Sequence, residues 1–135
     1  MQRKTLSVLT ALVLLYAIAS IVHFIHNAEF LSAYPGLPRN WTRSGVYLAW
    51  AAMTVLGFTA LLLVVRGVLV LGLVLVLVYA ALGFDSLGHY VVAPFSAHTA
   101  MMNFTILLEV GCASLLFVAG ATLLTNRLLF LRRSE

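Results

Sequence analysis

"GVLVLGLVLVLVYAALGFDSLGHY" occupies residues 67–90, and its reading decides the fold. Its many valines favour a strand by propensity. In lipid, however, an open sheet leaves its edge amides and carbonyls unpaired, whereas a helix satisfies every backbone group within the segment. The run also exceeds the roughly 20 apolar residues that a bilayer crossing takes. A membrane-spanning helix is therefore the expectation, with Asp85 and His89 carried near its end.

Three other runs share this character: residues 5–28, 45–65 and 98–125. The chain has 135 residues, is 63% hydrophobic and only 9% charged. A soluble domain carries about 25% charged residues. The expected architecture is thus all-α, a polytopic membrane protein forming one four-transmembrane-helix bundle over residues 1–135. Residues 32–44 would form an outer loop holding two of the three prolines and Trp41. The two-residue link "RG" at 66–67 makes the second and third spans a tight hairpin. A single cysteine excludes an internal disulfide and a thiol-pair redox centre.

The eight basic residues sit almost entirely at span ends, so the net charge of +4 reflects topology and not nucleic-acid binding. Arg3, Lys4, Arg66, Arg127, Arg132 and Arg133 fall on one side, Arg39 and Arg43 on the other. This imbalance predicts a multi-pass protein with both termini cytoplasmic. "MQRK" followed by an apolar run and "AIA" at 17–19 also fits a secretory signal cleaved after residue 19. The run stays apolar through Ile25, which favours an uncleaved span.

Ionisable groups inside spans are costly and mark functional sites by default. Here His23, Asp85 and Glu109 each stand 18 or 19 residues from a basic anchor at the cytoplasmic end of their helix. At about 1.5 Å per residue, that places all three roughly 27–29 Å above the inner boundary. Tyr47 reaches the same level on the second helix, and His26 and His89 lie about a turn higher. On the fourth helix His98, Met102, Thr105 and Glu109 share a face. On the third, Asp85 and His89 stack at i,i+4. On the first, His23 and Glu29 diverge by about 120° around His26, which makes His26 the expected inward residue.

Imidazole and carboxylate are the usual ligands of transition metals, and bundle cores build such sites from facing helices. His23, His26, Glu29, Asp85, His89, His98 and Glu109 are the candidate ligands for zinc, iron or copper. Glu109 and Asp85 double as candidate catalytic bases, and Tyr47, Trp50, Met102, Asn103 and Thr105 as pocket walls. The expected function is a metal-dependent membrane enzyme that oxidises or hydrolyses a hydrophobic substrate entering from lipid. Four alternatives use the same residues: a metal-ion or proton carrier, a haem-binding accessory subunit, a metal-free acid/base isomerase acting on a lipid, and simple helix packing. A carrier needs a route to the other face, and below Glu109 the helices offer nothing ionisable, so transport would call for a homo-oligomer.

Overall fold

The computed structural model describes residues 2–38 and 40–133, so Arg39, one of the two outer basic residues, lies outside the described residues. It is all-α, with no strand among the described residues. Helix α1 spans Arg3–Glu29, α2 Arg43–Val65, α3 Leu69–Leu82, α4 Gly88–Val92 and α5 Ala100–Arg132. A 3₁₀ segment, Gly83–Leu87, joins α3 to α4, so the third span is a bent composite, Leu69–Val92. Helices α1, α2 and α5 and this composite are each long and apolar enough to cross a membrane.

The helix ends follow local chemistry. Thr42 Oγ1 accepts the Gly45 N–H at 3.1 Å and Thr99 Oγ1 accepts the Met102 N–H at 3.3 Å, so α2 and α5 begin at threonine caps. At the other end of α2, Gly67 has φ +87°, a left-handed turn that glycine enters without a Cβ penalty. This turn returns the chain at once into α3. Helix α5 runs to Arg132, beyond the expected end at 125. At 33 residues it is about 50 Å long and outreaches a hydrocarbon core of about 30 Å.

Helix α1 packs on α2 and α5, and α3 packs on the same two, so the four spans close a ring. The lower bundle is a dry core of Leu9, Val13, Ala60, Val64, Leu73, Val76, Ala113 and Leu116. Small residues let the helices approach closely. A Cβ on Gly72 would stand 2.8 Å from the Val64 backbone nitrogen, and one on Gly83 would stand 2.6 Å from Ala113 Cβ. Tyr16 and Tyr79, with ring centres 4.5 Å apart, form the upper floor of this core. Above them the buried side chains turn polar.

Candidate functional site

On α1, residues Leu9, Val13, Tyr16, Ser20, His23 and Asn27 are all buried. Their alternating steps of four and three trace one seam of a left-handed bundle. That seam points His23 inward and sets His26 on the flank, the reverse of the order expected from the sequence. His26 is half-buried and lies outside the central cluster, with its Nδ1 2.8 Å from the Tyr34 hydroxyl. Glu29 leaves the site altogether: Arg43 Nη2 lies 2.6 Å from its carboxylate, and the Tyr47 hydroxyl donates to it at 2.7 Å. Tyr47 accordingly belongs to this outer clamp and not to the pocket.

The third span departs from a regular helix where it matters most. A 3₁₀ segment turns about 120° per residue against about 100° in an α-helix. Across Gly83–Leu87 this unstacks Asp85 from His89. Ser86 is rotated inward and donates to Glu109 Oε2 at 2.5 Å. Asp85 is exposed on the wall of a cavity, with no hydrogen bond or ion pair among the described residues, and His89 is buried.

On α5 the expected stripe is present in Met102, Thr105 and Glu109, all buried; His98 is buried too, but on extended backbone just before the helix. Thr105 donates its hydroxyl proton to the Met102 carbonyl at 3.1 Å. The Thr105 oxygen is then the acceptor for His23 Nδ1–H at 3.3 Å. His23 Nε2, left with its lone pair, faces Glu109 Oε2 at 3.8 Å. The centre is therefore a series of neighbours, two hydrogen-bonded pairs, Ser86–Glu109 and His23–Thr105, facing each other across the 3.8 Å gap between His23 and Glu109, with Glu109 wholly inaccessible to solvent. Asn103 does structural work: it accepts from the Tyr90 hydroxyl at 3.0 Å, and its amide donates to the Phe95 and His98 carbonyls.

A cavity of about 270 Å³ opens beside this series, between α1, α2 and the third span. Its polar wall is His23, Asn27, Asp85, Ser86 and His89; its apolar wall includes Phe24, Met53 and Leu82. Leu37, Pro38 and Trp41 of the outer loop line it as well. Gly36 fastens that loop at φ +76°, where a Cβ would meet the Val92 carbonyl oxygen at 2.7 Å. Trp50 is not on the cavity wall; Ala49 and Met53 hold that side of α2. Met102 packs with Tyr34 and Ile106 in a small apolar cluster.

Among the described residues, no three His, Cys, Asp or Glu side chains come together as a metal-holding group. The seven candidate ligands are thus not gathered into one set: His26 lies on the flank beside Tyr34, Glu29 is held by Arg43, and Asp85 is exposed on the cavity wall. Three contributors escaped the sequence reading. Asn27 was legible, since it falls on the seam with His23. Ser86 became a partner of Glu109 only through the 3₁₀ rotation. Tyr34 lies in an irregular loop and carried no periodic signal.

Tyr34 lies outside the spans, and burial pushes its hydroxyl up to about 12. The folded loop therefore favours the neutral phenol. Its contribution is complete below the ordinary tyrosine value of about 10 and is lost as pH rises through about 12. Trp41 fluorescence is expected to report loop opening within that window. Tyr34→Phe should remove the transition, and an identical transition in that variant would assign it elsewhere.

Fold and site together define a bundle of membrane-spanning dimensions with a buried histidine–carboxyl centre beside a half-open cavity at one end. No protein-family model, curated protein or solved structure matches the chain.

Proposed function

We propose that the chain is a multi-pass membrane enzyme that moves a proton within a small hydrophobic molecule held in the cavity beside α1. One observation carries this reading. The wall presents a carboxylate with no hydrogen bond or ion pair among the described residues, Asp85, next to a hydroxyl, Ser86, that is hydrogen-bonded to the buried Glu109 and through it reaches His23. Two proton-handling groups in unlike surroundings, one open to the cavity and one buried, are what a proton shift needs. Asp85 takes a proton from one substrate carbon. Ser86 delivers its own proton at another carbon as the acid form of Glu109 hands its proton to the Ser86 oxygen; the proton held by Asp85 then passes to water in the cavity, from which Ser86 and Glu109 are reprotonated.

A lipid-derived substrate suits the largely apolar remainder of the wall. The dry core beneath Tyr16 and Tyr79 favours chemistry at one face over passage of an ion through the bundle. A reaction needing many metal ligands finds less support, because Glu29, His26 and Asp85 point to other surroundings.

The test works with the substrate still unidentified. Purified protein is incubated with a total lipid extract in D₂O, and the lipids are scanned by mass spectrometry. A proton-shifting enzyme writes solvent deuterium into one lipid class, and Asp85→Asn abolishes this. Absence of enzyme-dependent label from every class would overturn the reading.

We further propose that the cavity end faces away from the cytoplasm, from the six basic residues near the opposite ends of the spans. A reporter fused after residue 135 is expected to read cytoplasmic, and one within 34–42 extracytoplasmic. Matching signals from both positions would sink this orientation.

A further inference from the structure

His89 lies beside the proton-handling series, its ring centre 5.4 Å from that of His23, and together with His98 it carries a feature the series does not use. Both are more than nine-tenths buried, at 7% and 6% exposure, with ring centres 6.1 Å apart. Each ring has one nitrogen held and the other buried without a partner among the described residues. His98 Nδ1–H donates to the Pro94 carbonyl at 3.1 Å, which leaves Nε2 with its lone pair. His89 Nε2 lies 3.1 Å from the Asn27 amide nitrogen, while His89 Nδ1 and Asn27 Oδ1 are both buried and unpartnered. A half-turn of that amide puts Oδ1 on Nε2–H and frees the lone pair of Nδ1. Both imidazoles are then oriented as metal-bound histidines usually are, by a carbonyl on the far nitrogen.

We propose that His89 and His98 bind one soft monovalent cation, Cu(I), through His89 Nδ1 and His98 Nε2. Two imidazoles on one ion, at about 2.0 Å per bond and nearly opposite each other, have ring centres roughly 6 Å apart. The separation here matches that spacing. Among the described residues no third His, Cys, Asp or Glu completes a metal-holding group with the two imidazoles: the His23 ring, centred 5.4 Å from His89, has its Nδ1 on Thr105 and its Nε2 toward Glu109. Two donors fall short of the four that Zn²⁺ takes, but they suffice for a two-coordinate d¹⁰ monocation. Desolvation selects in the same direction, because the cost of burying an ion grows with the square of its charge and is roughly fourfold greater for a dication. The Tyr34 ring, centred 4.8 Å from His89, and the Tyr90 ring, centred 5.4 Å from His98, add largely apolar surface.

The protein is reconstituted in nanodiscs of zwitterionic lipid and titrated anaerobically with Cu(I) against a chromophoric chelator. One Cu(I) per chain is expected, with an X-ray absorption spectrum showing two nitrogen neighbours and no sulfur. His89→Gln and His98→Gln should each abolish competition with the chelator, and Asn27→Leu should weaken binding by roughly 10–100-fold by loosening the His89 ring. Asp85→Asn, which abolishes the proposed proton shift, should leave Cu(I) binding unchanged, so the two proposals fail separately. Stoichiometry no greater than that of empty nanodiscs would overturn the inference. Sulfur neighbours, or full binding in the double variant His89→Gln/His98→Gln, would do the same. The wild-type stoichiometry and neighbour atoms decide the matter even if the variants fail to fold.

Discussion

Glu109→Gln is expected to lower enzyme-dependent deuterium incorporation by about 10²–10⁴-fold, the usual worth of a positioned acid/base group. The reason lies in the partners around it. Glutamine has nearly the same volume, and its carbonyl oxygen still accepts from Ser86. The packing is therefore retained while the exchangeable proton is lost. Circular dichroism should show unchanged helix content, and unchanged labelling alongside it would remove Glu109 from the chemistry. Glu109→Leu makes the complementary case. It leaves the Ser86 hydroxyl buried without its partner, at a cost of about 1–3 kcal/mol. That variant should lose stability as well as activity.

Gly72→Val is expected to be the most damaging change at the α2–α3 contact. The first added carbon already stands 2.7 Å from Val64 Cγ2, 2.8 Å from the Val64 nitrogen and 3.1 Å from the Ala60 carbonyl oxygen. Two of these atoms are backbone and cannot rotate away, and valine adds two more carbons. Overpacking of this kind costs about 3 kcal/mol, and the short Arg66–Gly67 turn leaves the hairpin little room to splay. Gly111→Ala is the control. Nothing lies within 4 Å of its added carbon, and replacing a mid-helix glycine should add about 0.5–1 kcal/mol of stability. Thermal unfolding in detergent micelles measures both. Parental stability in Gly72→Val would show that the two helices are not held at this distance.

How much of the site was legible depends on whether its residues lie on regular helix. Glu109, Thr105 and Met102 form the stripe that their spacing predicts, because α5 is regular from Ala100 onward, whereas His98 lies before the helix on extended backbone. The ranking of His23 against His26 failed for another reason. Angles among three histidine and glutamate positions were compared with one another, whereas the buried face of α1 is defined by Leu9, Val13 and Tyr16 two to four turns below. Extending that seam upward selects Ser20, His23 and Asn27, but the burial that marks it belongs to the packed bundle, since α1 is apolar on every side.

Apolar run length alone determined four spans and a mainly lipid-solvated chain, since no other backbone arrangement in this protein satisfies its amides in hydrocarbon. The level of the polar groups followed from the same counting, because rise per residue is nearly constant along a helix. Which groups meet was decided only by tertiary structure. Five residues of 3₁₀ geometry shift the angular phase of everything beyond Gly83, exchanging Asp85 for Ser86 beside Glu109. That shift goes with close packing of Gly83 against Tyr16 and Ala113, a contact between three separate helices that no local pattern records.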